Sequence, residues 1–192
     1  MVGAAPSFSR VHIVRTLLIL KKKKTGRKNL VKELEIGEGS IRTILKRLKN
    51  DGLITSGKLG HELTAKGESK VLEYLERFTV PERFESGEIE LVEGERTEKC
   101  LIVVYNSARK IKSGMEQRDT AFSAGAKGAL VIVSKKGRLE FPTPDIKLSD
   151  FPGLTERLKK LDLQDKDTVV ISFGKSYARA EDGAVAIALE LL

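Results

Sequence analysis

From Ser40 to Asn50 the chain reads Ser-Ile-Arg-Thr-Ile-Leu-Lys-Arg-Leu-Lys-Asn, and residue type changes with position. Ile41, Ile44, Leu45 and Leu48 recur at i, i+3, i+4 and i+7, the spacing of one helical face. At roughly 100° per residue, Arg42, Thr43, Lys46, Arg47 and Asn50 fall on the opposite side. That side is rich in hydrogen-bond donors. Arg and Lys donate to guanine O6 and N7, Asn pairs with adenine, and Arg, Lys and Ser40 at the helix start hold phosphate oxygens. The bland alternative is a solvated helix face packing on a protein partner.

Charge separates the two. Residues 1–80 carry 17 Lys+Arg against 8 Asp+Glu, a balance of +9, while residues 81–192 carry 18 against 19. The overall +8 therefore belongs to the first part of the chain alone. A basic segment joined to a neutral one points to a polyanion, and phosphate neutralisation dominates affinity in nucleic-acid complexes.

The elements that must position this face follow from its flanks. Ser9 can cap a first helix running to Lys22 with Val11, Val14, Leu17 and Leu18 on one face. Thr25-Gly26 breaks it, and Arg27–Leu34 forms a second helix burying Leu30, Val31 and Leu34. Glu35 to Gly39 is a tight glycine turn into the basic helix, and Gly52 occupies its left-handed C-terminal position. Leu53–Thr55 and His61–Leu63 read as short strands around a glycine-bearing turn. Thr64 opens a last helix to Phe78 with Val71, Leu72 and Leu75 inward. Lys58, at the hairpin turn, and His61 can reach a phosphate or the minor groove. Lys21 to Lys24 form either a phosphate-binding patch or a solubilising helix end.

Gly26-Arg27-Lys28-Asn29-Leu30-Val31-Lys32-Glu33-Leu34, the run from Gly37 to Leu48, Asp51-Gly52-Leu53-Ile54 and Leu63-Thr64-Ala65-Lys66-Gly67 resemble archaeal winged helix-turn-helix transcriptional regulators. The likeness covers residues 9 to 78. Gly114 to Ala129 and Ala180 to Leu191 are similar to a poorly characterised α/β domain attached to those regulators. The resemblance implies an N-terminal winged helix-turn-helix, a three-helix bundle plus β-wing, over residues 1–80. Within it Ser40–Asn50 is the recognition helix and the turn around Lys58 the wing, with double-stranded DNA as partner.

Residues 81–98 read as an acidic linker or edge strand: Pro81, Gly87 and Gly94 accompany six Glu between Glu82 and Arg96, and Ile89 and Leu91 alternate with Glu. Residues 99–192 read as a C-terminal mixed α/β sandwich for dimerisation or ligand sensing. Its strands are Lys99–Tyr105, Ala129–Val133, Arg138–Phe141 and Thr168–Phe173, and its helices are Met115–Ala124, Asp150–Leu161 and Tyr177–Leu192. A mixed sheet is expected because one connection is a tight turn at Lys136-Gly137 and the others carry helices. The small, apolar final helix is buried in its own domain or across a homodimer interface, and DNA half-sites one turn apart favour a homodimer.

Arg118 and Asp119 near a helix start could hold a small anionic effector, or else pair with each other. Lys175 and Ser176 follow a strand and open a helix, an anion site or an ordinary βα turn. Val169 stands where a phosphate loop needs glycine, which excludes that motif. No catalytic constellation is expected, since both histidines, His12 and His61, precede the second domain. The alternative is an enzyme acting on an anionic small molecule with the winged helix as regulatory appendage. No metal or cofactor is called for. The single Cys100 heads an apolar run and reads as a buried strand thiol in a cytoplasmic protein. The apolar run Val11–Leu20 is broken by Arg15 and followed by four lysines, so neither a membrane span nor a signal peptide is expected.

Overall fold

The computed structural model describes residues 8–84 and 97–192. The proposed strand around Ile89 and Leu91 lies outside the described residues. The chain is mixed α+β, with helices in its N-terminal part and a β-sheet in its C-terminal part, and it divides into compact units at residues 1–75 and 76–192.

The first unit runs α1 (Arg10–Lys22), α2 (Arg27–Leu34), α3 (Glu38–Asn50), β1 (Ile54–Gly57), β2 (Gly60–Leu63) and α4 (Ala65–Leu75). Helix α1 is not amphipathic in place. Val11, Val14, Leu17, Leu18, Ile19 and Leu20 are all buried, together with Thr16 and Arg15, because α2, α4 and β2 surround it. Arg15, which looks like a break in the apolar run, reaches across to donate from Nη2 to the Glu33 carbonyl at 3.1 Å.

The turn before α3 differs from a glycine turn. Its left-handed residue is Glu35 (φ 51°), while Gly37 (φ −60°) caps α3 and Gly39 lies inside it. Gly52 does take the left-handed position after α3, at φ 70°. Beyond it, β1 and β2 pair antiparallel from Ile54↔Leu63 to Gly57↔Gly60. Thr25 adds a single bridge to this hairpin: its N–H donates to the His61 carbonyl at 3.1 Å and its carbonyl accepts from the His61 N–H at 3.0 Å. Gly60 permits that approach. Its φ is 118°, and a Cβ there would lie 2.7 Å from the Thr25 carbonyl carbon.

Helix α4 ends at Leu75, short of Phe78, where the first unit ends; the next residues belong to the second unit, in which the Tyr105 N–H donates to the Arg77 carbonyl and the Thr79 N–H to the Val103 carbonyl. Leu72, expected inward, is exposed, and Val71 supplies the buried position.

The second unit holds β3 (Glu82–Phe84), β4 (Glu98–Val104), α5 (Met115–Ser123), β5 (Gly128–Lys135), β6 (Arg138–Glu140), α6 (Pro152–Leu158), β7 (Thr168–Gly174) and α7 (Tyr177–Glu190). The sheet order is β3-β4-β7-β5-β6, and every pairing is antiparallel, so the expected mixed sheet is corrected. Since β4 and β5 are each antiparallel to β7, they run parallel to one another, as a helical crossover through α5 allows. The last strand then inserts between them. Helix α6 starts at Pro152, whose fixed φ and missing N–H suit a first helical position, two residues later than expected.

Strand periodicity divides the core. Leu101, Val103, Val169, Ile171, Phe173 and Ile132 face Leu154 and Leu158 of α6. The alternate residues turn toward α7, which also packs on α5. Cys100 is buried on β4. Helix α7 is buried within this unit, the first of the two placements its sequence allows, and it carries a buried acid that sequence reading missed: Asp182 accepts from Arg179 Nη1 at 2.9 Å.

Candidate nucleic-acid interface

Helix α3 is divided as its sequence predicts. Ile41, Ile44, Leu45 and Leu48 are buried, whereas Arg42, Thr43, Lys46, Arg47, Lys49 and Asn50 are exposed. Ser40 is the correction. It is buried, because it precedes Ile44 by four residues and Leu48 by eight and so continues the packed stripe. It cannot meet a phosphate from there. The Thr43 hydroxyl turns back to donate to the Gly39 carbonyl at 3.0 Å, which uses its one donor within the helix.

Acidic neighbours trim the positive charge unevenly. Glu38 Oε1 lies 2.9 Å from Arg27 Nη2 and 3.8 Å from Arg42 Nη2, and Asp51 Oδ2 lies 4.0 Å from Arg47 Nε. Lys21 pairs with Glu68, Lys23 with Glu33 at 3.0 Å, and Lys24 with Glu62, so three of the four lysines from Lys21 to Lys24 are tied to their own unit. Such exposed pairs are worth roughly 0–1 kcal/mol and exchange readily for a phosphate.

Sequence reasoning missed a second part of this surface. Arg27, Lys28 and Asn29 at the start of α2 line a concavity of about 510 Å³ with Arg42, Leu45 and His61. Three separate elements contribute, and the bridge from Thr25 to His61 brings them together. At the hairpin turn Lys58 is exposed, beside Leu59, whose side chain is 81% exposed.

His61 is half-buried, with Nδ1 3.0 Å from the Ser56 hydroxyl across the hairpin. Burial, then Lys49 and then Arg27, hold its pKa below the usual 6.5. It is therefore neutral at pH 7, a hydrogen-bonding rather than a charged contributor. The linkage has a definite sign: between the lowered folded pKa and 6.5 the unfolded chain binds more protons, so stability falls as pH drops through that window. Melting curves at pH 7.5 and 5.5 should show this loss, and His61→Gln should reduce it. An equal pH dependence in that variant would contradict the assignment.

In the second unit the four proposed effector residues do not converge. Arg118 and Asp119 are exposed neighbours, 3.3 Å apart, and Lys175 is exposed, but the Ser176 hydroxyl is occupied as the cap of α7, accepting from the Arg179 N–H at 3.4 Å. Gln117 and Thr120, beside Arg118, contact Glu190 at the other end of α7. Ser176 and Glu190 are roughly 20 Å apart at about 1.5 Å per helical residue. Among the described residues no cluster of three or more His, Cys, Asp or Glu could hold a metal, and no helix is long and apolar enough to cross a membrane.

Residues 96–191 match the family described as a domain of unknown function, DUF4443, and residues 12–69 match the PH0730-like N-terminal domain. A solved structure, the hypothetical protein PH0730 from Pyrococcus horikoshii OT3, is 31% identical over 96% of this chain and 93% of that one, with a TM-score of 0.77. The chain belongs to the PH0730-like family carrying a DUF4443 domain. Comparison with curated proteins gives no match. The PH0730-like N-terminal match encloses the whole concavity, the exposed face of α3 and the hairpin turn. The DUF4443 match encloses α5 and α7.

Proposed function

We propose that this PH0730-like protein is a DNA-binding transcriptional regulator whose first unit is a winged helix. In this proposal α3 enters the major groove of duplex DNA and the β1–β2 hairpin is the wing. One observation carries it: α3 presents Arg42, Thr43, Lys46, Arg47 and Asn50 together on the side opposite its buried face, in a segment of charge +9. Arg42 and Asn50 have the donors for base edges, and Lys46, Arg47 and Lys58 are suited to phosphates. Arg27 and Lys28, which line the concavity together with Arg42, extend the phosphate track toward α2. The order helix, helix, helix, hairpin, helix agrees with this architecture.

Fluorescence anisotropy of the full chain with labelled genomic duplexes, titrated at several salt concentrations, tests the reading. With four or five phosphate contacts, log K should fall with log salt at a slope of about −4. Sequence-selective sites should stand out above that background. Failure to bind any duplex at low salt would end the proposal.

A further inference from the structure

Helix α5 is rotated so that one face is held and another is bare. Gln117 Nε2 donates to Glu190 Oε1 at 2.8 Å, and the Thr120 hydroxyl donates to Glu190 Oε2. Ala121 is fully buried against the same side. With α5 fixed in this way, Met115, Arg118, Asp119 and Phe122 form an i, i+3, i+4, i+7 stripe on the outside, and all four are exposed. Met115 is 53% and Phe122 51% exposed, which makes the ends of the stripe apolar and its middle charged.

The order apolar, cation, anion, apolar is its own complement under a two-fold rotation. An axis passing between Arg118 and Asp119 exchanges these two positions, and it exchanges Met115 with Phe122 at the same time. A second copy of α5, laid antiparallel, sets Met115 against the partner's Phe122 and Arg118 against the partner's Asp119, and each contact occurs twice. An isologous interface requires this self-complementarity. The thioether–ring contacts are favourable, and the paired charges fix the register and exclude a parallel arrangement, which would set like charges together.

We infer that the exposed stripe of α5 is the centre of a two-fold interface between two copies of this chain. The occupant follows from charge and apolar order: a helix of any other sequence would have to reproduce the pattern that a second copy already carries. Two crossing nine-residue helices bury less than the roughly 1,200–2,000 Å² of a stable interface, so association belongs in the micromolar range. This proposal does not depend on the DNA-binding reading, and its test contains no nucleic acid.

Sedimentation velocity of the full chain across a concentration series should show a monomer–dimer equilibrium. Arg118→Asp clusters carboxylates at the axis and should weaken association by about tenfold or more. The double variant Arg118→Asp/Asp119→Arg restores each pair with reversed sign and should return most of the lost affinity. Oxidising Met115→Cys/Phe122→Cys should give a covalent dimer, since positions seven apart on one helix are about 10 Å distant and cannot bridge within a chain. A monomer at about 0.1 mM, well above the micromolar range, would overturn the inference. So would an Arg118→Asp variant that associates like the native chain, or a double variant no better than the single one.

Discussion

Replacing Lys46 by glutamate is expected to weaken duplex binding by about tenfold or more at 0.1 M salt while leaving the fold intact. Lys46 lies near the middle of the exposed face of α3, and among the described residues no acid is paired with it. Arg42 and Arg47, by contrast, are partly compensated by Glu38 and Asp51. Lys46 is therefore a charge near the middle of this face that a phosphate would meet without first displacing a carboxylate. Losing it should reduce the salt slope by about one unit, and the introduced carboxylate should reduce it further. Lys112→Glu, an exposed position in the second unit, alters net charge equally and should change affinity by no more than about twofold. If the two variants weakened binding equally, α3 would not be the binding surface.

The basic face is legible in sequence because amphipathic periodicity fixes both sides of a helix at once. Four buried positions of α3 and five of the exposed ones follow from a single spacing rule. Residue type misplaces Ser40: serine at a helix start suggests a phosphate contact, but its spacing from Ile44 and Leu48 assigns it to the packed stripe. The concavity is not legible. Its residues come from α2, α3 and β2, and only the backbone bridge between Thr25 and His61 joins them.

Burial on every side defeats the same reasoning. Helix α1 shows a face in sequence, yet α2, α4 and β2 enclose it, and Arg15 is accommodated by a carbonyl at the end of α2. In the second unit each strand can be read, but not the order of strands in the sheet. Apolar runs in β4, β5 and β7 reflect helices on both faces of the sheet, a condition common to parallel and antiparallel strands in such layers. Nothing local marks β7 as the strand inserted between β4 and β5, because that choice depends on pairing across more than thirty residues.

The paired runs Gly52-Leu53-Ile54 and Leu63-Thr64-Ala65-Lys66-Gly67 make a single structural joint, and its disruption should give a large stability effect. The Thr64 hydroxyl donates to the Gly52 carbonyl at 2.7 Å and accepts from the Gly67 N–H at 3.1 Å, while the Thr64 N–H donates to the Leu53 carbonyl at 3.0 Å. Lys66 Nζ donates to the Asp51 carbonyl at 2.8 Å. The start of α4 is thus held against the end of α3, and Gly67 sits where a Cβ would overlap the Leu53 carbonyl oxygen and press on Leu63 Cδ2 at 3.2 Å. Helix propensity alone favours alanine there by about 1 kcal/mol. Displacing a hydrogen-bonded backbone carbonyl should cost more, about 1–3 kcal/mol beyond that gain. Gly67→Ala should therefore lower the thermal midpoint of the first unit by several degrees. Gly39, inside α3 with open space where a Cβ would stand, supplies the opposite sign: Gly39→Ala should stabilise the first unit by up to about 1 kcal/mol and raise its midpoint. Circular-dichroism melts of both variants decide the matter, because a midpoint that rose in Gly67→Ala, as it should in Gly39→Ala, would mean that α4 does not rest on the Leu53 carbonyl.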